Sequence, residues 1–331
     1  MAGAKEIQNR IKSIQDTMKI TKAMYLMSSM KLRKAKEKLQ DTEPYFFALE
    51  EEITDILLHF PSIEDIFFDN RRQDRLETTK KRAFLVMTGD KGMAGAYNHN
   101  VLKEAQRLID ESEVQGPDGK KYENRLFVVG ELGRAHFRGR GFPIEPDFYF
   151  SANNPTMHRA REITGRLVEL YKDEQLDEVY LIYTRMINSM KEEVSMQQLL
   201  PLKTNEFVRA EIREKIEQGL LNPEVIDEMD DWYLFYPSPR AILETLVYNY
   251  LTGYIYGALV ESFASEENAR MMAMQSATDN ANAMLSELSI EYNRVRQAAI
   301  TQEITEVISG AKALKKKKLA AQKRKKSQNT K

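Results

Sequence analysis

The chain has 331 residues, 30% of them charged, a formal net charge of −1 and no cysteine. The missing cysteines exclude disulfides, thiolate metal sites and cysteine nucleophiles, and the sequence has no apolar run of the ~18 residues a membrane-spanning helix needs. The near-neutral total is the sum of +7 over residues 1–40, +9 over 315–331 and −17 between them, so basic ends flank an acidic body.

The first residues, MAGAKEIQNRIKSI, have no apolar core of signal-peptide length and include Glu6, so they read as the start of a helix and not as a secretory signal. Residues 5–58 form the first predicted helix. Ile7, Ile11, Ile14, Met18, Thr21, Tyr25, Ser28, Leu32, Ala35 and Leu39 alternate at spacings of four and three, the seam of a coiled coil. The seam is weak where Thr21, Tyr25 and Ser28 stand. Met24, Met27 and Met30 lie beside it and are read as packing it, the other reading being a deformable or partner-facing surface. Pro44 is expected to kink or restart the helix and Pro61 to end it.

An α/β body follows. Residues 83–88, 126–129, 179–183 and 196–202 are strand candidates, with helical stretches at 101–111 and 155–172. That alternation predicts a doubly wound, mostly parallel sheet of the nucleotide-binding type. Loops are marked at 115–120 and 137–146. Residues 205–238 read as an acidic excursion with a short helix over 206–217, and 232–236 lead out of it.

Residues 239–314 contain no proline after Pro239 and read as a second long helix, roughly 110 Å at 1.5 Å per residue. A helix of that length must pair with something along its course. Its stripe runs through Ala277, Ala281, Met284, Leu288, Tyr292, Val295 and Ala299, then shifts to Ile300, Ile304, Val307, Ala311 and Leu314. The seam at the other end of the chain is the natural partner. The predicted organisation is an antiparallel two-helix coiled coil of residues 1–60 and 239–314, an α/β body over 80–238, and a basic, coil-like tail over 315–331.

Little here carries chemistry. Gly89, Gly92 and Gly95 follow a strand and precede a helix, where phosphates are often cradled. Their spacing is neither the dinucleotide fingerprint nor a P-loop, so a tight turn is the reading adopted. His59, His99, His136 and His158 are too scattered for a zinc site. Asp55, Glu64, Asp65 and the acids at 227–231 form solvated clusters, with no acid–base dyad among them. No metal, cofactor or catalytic residue is assigned. The tail, KKKKLAAQKRKKSQNTK, has no aromatic residue to stack on bases and reads as a solvated extension.

Five segments resemble one family. SEENARMMAMQSATDNA (265–281), YNRVRQAAITQEITEVISGAKAL (292–314), IKSIQDTMKITKAMYLMSSMKLRKAK (11–36), GDKGMAGAYNHNV (89–101) and YLIYTRMINSMKEEVSMQQLLPL (180–202) resemble the gamma subunit of F-type ATP synthases. The likeness is weak over 112–175 and 205–232, and the family usually has serine where Gly89 stands. It implies a rotating central shaft without a catalytic site or nucleotide, turning inside a hexamer of alpha and beta subunits, with the epsilon subunit and the membrane c-ring at its foot. It further implies that Lys22, Met24, Arg270, Arg296, Gln297, Thr301 and Glu303 face the alpha and beta subunits. Gly89, Asp90, Gly92 and Gly95 would form a loop of the foot, and the tip from Ile304 to Leu314 would turn in an apolar collar. Family chains usually stop near Leu314, so the tail is expected to emerge beyond the hexamer; fully extended it would reach roughly 55 Å. The lack of a transit peptide places the complex on the cytoplasmic side of a bacterial membrane. Two other readings are an α/β enzyme binding nucleotide at 89–95, and a coiled-coil scaffold or nucleic-acid adaptor using the basic ends.

Overall fold

The computed structural model describes residues 2–60, 63, 65–68, 79–113, 121–188, 191–203, 207 and 235–328. The elements run α1 (Ala2–His59), β1 (Thr79–Met87), α2 (Tyr97–Glu113), β2 (Lys121–Val129), α3 (Glu131–Gly139), α4 (Met157–Lys172), β3 (Glu178–Met186), β4 (Glu192–Leu200) and α5 (Pro239–Gln328). The predicted loop at 115–120, the excursion at 205–234 with its helix, and Pro61 lie outside the described residues, Phe207 excepted. Two compact units divide the chain within α1 and α5: Met1–Tyr25 with Met274–Lys331, and Leu26–Ala273.

In the larger unit β1 pairs parallel with β2 and β3, and β4 adds antiparallel to β3, giving the order β2-β1-β3-β4. The two faces of the sheet separate by period two. Ala83, Leu85, Met87, Phe127, Val129, Val179 and Leu181 bury on one side with α4 and with the stretches of α1 and α5 in this unit. Phe84, Val86, Leu126, Val128 and Ile182 bury on the other, against Val101, Ala105 and Ile109 of α2 and Phe137 of α3. Helices on both faces make this the doubly wound sheet expected of strand–helix alternation. The strands exceed the predicted 83–88 and 126–129 because their first turns, TKKR and KYEN, pair through backbone despite polar side chains. The fourth strand is 192–200 and not 196–202, because Glu192 to Ser195 pair with Met186 to Tyr183. Helix α3 was not expected. Its nine residues carry two glycines and run into the FRGRG turn, which masks the helical period.

Helix ends follow local chemistry. Thr156 caps α4 by accepting from the Arg159 N–H at 3.3 Å. Ser238 accepts from the Ala241 N–H at 3.3 Å and Pro239 stands first in α5, where its missing N–H costs nothing. Helix α1 neither stops nor restarts at Pro44. The Thr42 hydroxyl donates to the carbonyls of Lys38 and Leu39 at 2.9 and 3.1 Å, and Pro44 is exposed, so the carbonyl it leaves unbonded faces water.

In the smaller unit α1 and α5 run antiparallel. Ile7, Ile11, Ile14, Met18, Thr21 and Tyr25, with Ala4 and Met24 beside them, are the half-buried residues of this stretch of α1, and Met274, Thr278, Ala281, Leu285, Leu288, Tyr292, Val295 and Ala299 lie less exposed along α5. The Thr21 and Thr278 hydroxyls meet at 2.9 Å and mark the register. Leu285 replaces Met284 in the predicted stripe; Met284 is 53% exposed. From that register each residue toward the start of α1 faces one further along α5, so α1 is exhausted near Ala299. Every residue from Ile300 to Lys318 is exposed, and the predicted shift of the seam to Ile300, Ile304, Val307, Ala311 and Leu314 does not occur for want of a partner. Helix α5 nevertheless continues to Gln328, where a coil was expected from residue 315. Lysine, leucine, alanine and glutamine are strong helix formers, and cations suit the negative end of a helix, which together outweigh repulsion among the lysines.

Candidate functional site

In a doubly wound sheet ligands bind beyond the carboxyl ends of the strands, where the connections diverge. Here that point lies between β1, which leads to β2 on one side, and β3 on the other. Residues 262–270 of α5 occupy it. The Thr184 N–H donates to the Ser262 hydroxyl at 3.3 Å, and the Ser265 hydroxyl donates to the Thr184 carbonyl at 3.4 Å. These bonds satisfy β3 backbone beyond its last pairing with β1, at Ile182. The Tyr97 hydroxyl, held well above its ordinary pKa by burial, lies with Ser262 and Thr184.

The glycine loop is closed by the same helix. The Gly89 N–H donates to Asn98 Oδ1 at 2.9 Å and the Leu132 N–H donates to the Gly89 carbonyl at 3.2 Å. A Cβ at Gly89 would stand 2.8 Å from Glu266 Oε1 and 3.0 Å from Asn98 Oδ1, so a side chain there would have to displace the ends of those two residues. Asp90 ties three segments together. Its carboxylate accepts from the Glu131 N–H at the start of α3, from the Ser151 hydroxyl, and from the Asn153 backbone and side-chain amides at 3.1 and 3.0 Å. Gly92 and Gly95 are exposed, Gly95 with φ 54°.

Arg270 completes the lock. It is 8% exposed and pairs with Glu266, four residues back, and with Glu267 at 2.8 Å; it also reaches the Gly92 carbonyl at 3.5 Å. Lys31 of α1 pairs with Glu267 at 3.0 Å and stands 6.0 Å above the Phe263 ring. Two carboxylates and two cations therefore balance at a point where Glu267 is wholly buried. Burial opposes the Arg270 charge, but the two carboxylates outweigh it and raise its pKa; burial pushes the Glu266 carboxyl up despite Arg270.

The structure thus joins Arg270 to Gly89, Asp90 and Gly92, which the sequence treats separately, and turns Arg270 inward. Glu266, Glu267, Lys31, Asn98 and Ser262 were missed. The two acids three and four residues before Arg270 were the available signal, since residues at those spacings share a helix face. Lys22, Arg296, Gln297, Thr301 and Glu303 are exposed, the Thr301 hydroxyl donating to the Gln297 carbonyl at 2.9 Å. Met24 is half-buried, but Met27 and Met30 are 52% and 62% exposed and do not pack the seam. At spacings of +2 and +5 from Tyr25 they fall outside the 4-3 row that faces α5.

A doubly wound sheet whose ligand crevice is filled by its own C-terminal helix, and an antiparallel helix pair in which α5 outruns α1, define the class of fold. The family model described as ATP synthase matches residues 3–314. The ATP synthase gamma chain of Ruminiclostridium cellulolyticum is 42% identical over 311 residues, covering 94% of this chain and 98% of that protein. That of Acetivibrio thermocellus is 40% identical over 315 residues, 95% and 100% of the two chains. A sodium-ion-specific ATP synthase gamma chain from Acetobacterium woodii is 39% identical over 313 residues, 93% and 98% of the two. Among solved structures, a chain of the Euglena gracilis mitochondrial ATP synthase (OSCP/F1/c-ring) superposes with a TM-score of 0.56, 14% identity and 95% coverage of both chains. A chain of the Tetrahymena thermophila central stalk and c-ring gives 0.51 at 20% identity, over 78% of this chain and 99% of that one. These two likenesses bear on the fold. The chain belongs to the ATP synthase gamma chain family. The matched proteins are ATP synthase subunits and give no support to the scaffold or nucleic-acid-adaptor reading.

Proposed function

We propose that the chain is the non-catalytic central shaft of an ion-translocating rotary ATP synthase, peripheral on the cytoplasmic side of a bacterial membrane. The paired helices turn inside a hexamer of alpha and beta subunits. The α/β part meets the epsilon subunit and the c-ring, whose ion-driven rotation it passes on. Residues 1–60 and 239–314 serve as the shaft, 80–238 as the foot and 315–331 as a tail beyond the hexamer. One observation carries this reading: Ile300, Ile304, Val307, Ile308 and Leu314 stand exposed on the stretch of α5 beyond its pairing with α1. Apolar residues spaced three and four apart on an uncovered helix call for a surrounding apolar partner.

An asymmetric shaft offers each catalytic beta subunit different contacts at each angle. Rotation then biases the beta conformations, and with them nucleotide affinity, in turn. Lys22, Met24, Arg296, Gln297, Thr301 and Glu303 supply those contacts, the outward Arg296 as a fork to carboxylates. Arg270, committed inside the chain, acts as a positioning residue that fixes α5 against the glycine loop. Replacing Arg296 and Gln297 together by alanine should leave the chain folded and its complex assembled while ATP synthesis in membranes falls about tenfold, the loss expected for one or two charge-assisted hydrogen bonds. Co-purification of alpha, beta, epsilon and ring subunits with the wild-type chain tests the assembly itself, and unchanged synthesis by the variant would refute the assignment of the contacts.

A further inference from the structure

In the larger unit a cavity of about 370 Å³ opens between α1, α5 and β3. Its walls are aromatic: Phe46 and Phe47 of α1, Tyr183 of β3, and Tyr250 and Tyr254 of α5. The Phe46 ring lies so close to α5 that a Cβ at Gly253 would come within 1.8 Å of it, so glycine is what lets this wall form. Tyr250 and Tyr254 stand with ring centroids 6.3 Å apart and tilted 48° to each other, and both line the cavity.

Three carboxylates share that space: Glu43 and Glu50 from α1 and Glu261 from α5. Arg185 approaches Glu261 only to 4.0 Å, while Glu43 and Glu50 have no ion-pair partner among the described residues. An adjoining cavity of about 270 Å³ shares Leu39 and Glu261 with it and includes Lys36. Glu43 is exposed and Glu50 and Glu261 are half-buried, so among the described residues three acids meet one basic side chain, Arg185, at the rim of an aromatic-walled cavity. A cation over such rings is attracted by their negative faces and by the acids together. The size matches sites for small organic ligands, which start near 300 Å³.

We propose that this cavity binds a compact organic cation, a quaternary or protonated amine carried on an aromatic or branched aliphatic group. The ligand lies against Tyr250, Tyr254 and Phe46 with its charge toward Glu43, Glu50 and Glu261. It bridges α1 to α5 and so acts as an effector of the chain, undergoing no reaction. The proposal is independent of the shaft assignment.

Calorimetric titration of the full chain with benzyltrimethylammonium, and with benzyl alcohol as a neutral control, tests it. The cation should bind with a Kd on the order of 1 mM or tighter and the alcohol at least about tenfold more weakly. Bound cation should also raise the thermal midpoint, because it favours the folded state alone. Glu43→Gln with Glu50→Gln should weaken binding about tenfold while leaving the ligand-free melting curve unchanged; if that variant does not fold, Glu50→Gln alone is titrated in its place. Equal binding of the neutral control, no binding of the cation, or binding indifferent to the glutamine substitutions would each overturn the proposal. Binding to the isolated chain that vanishes in the assembled complex would overturn it too, since the cavity would then be a seat for a partner's basic side chain.

Discussion

Glu178, at the start of β3, shows how one side chain can staple a sheet. It pairs with Arg82 and Lys80 of β1, the latter at 3.1 Å, and accepts from the Tyr180 hydroxyl at 3.0 Å; Arg82 in turn stacks 3.3 Å above the Tyr122 ring of β2. Burial by itself would raise the Glu178 pKa, but the two cations hold it below the ordinary carboxylate value. A carboxyl depressed on folding contributes stability above its unfolded pKa of about 4.3, and that stability is lost as pH falls through the folded value. Glu178→Gln should therefore cost about 2 kcal/mol at pH 7, between the values for exposed and fully buried pairs. Denaturant melts of the two proteins should converge as pH falls through the depressed pKa of Glu178, and a difference that does not shrink on acidification would show that packing, not charge, is at stake. The same scale explains the misread methionines. Met27 and Met30 resemble core residues by type, and only the partner's position shows which face they occupy.

At the scale of the element, α5 changes its task along its length. Residues 239–273 build the core of the larger unit, 274–299 pair with α1, and Ile300 to Lys318 stand exposed. Their helicity rests on propensity, not packing. Deleting residues 315–331 should consequently leave assembly and ATPase activity intact and change stability by no more than about 0.5 kcal/mol, the range for surface changes that remove no packing. Calorimetry of the truncated chain and ATPase assays of its complex check this; lost assembly or activity would mean that the tail is built into the hexamer. Helix α1 teaches the complementary lesson, since Pro44 breaks a rule of sequence at an exposed position, where water takes the carbonyl it leaves unbonded.

At the scale of the whole molecule, the fold has a nucleotide-binding topology whose crevice is closed from within. The Gly89 N–H is already bonded to Asn98, and the Glu266 carboxylate lies where a phosphate would approach. An anion there would meet like charge. Titration of the isolated chain with ATP or ADP should show no binding at millimolar concentration, and saturable binding displaced by changes at Gly89 would contradict the closed crevice.

What the residues fix unaided is whatever depends on neighbours in sequence. The 4-3 rows of Ile7 to Leu39, the strand–helix alternation, the long proline-free run after Pro239 and the acids beside Arg270 are all periodic or local, so they are legible one element at a time. Tertiary structure decided what depends on who faces whom. It selected Leu285 over Met284, ended the seam at Ala299 where α1 runs out, turned Arg270 inward to Glu266 and Glu267, and filled the crevice with residues 262–270. Periodicity says that a side chain needs a partner, and only the assembled fold says which one it gets.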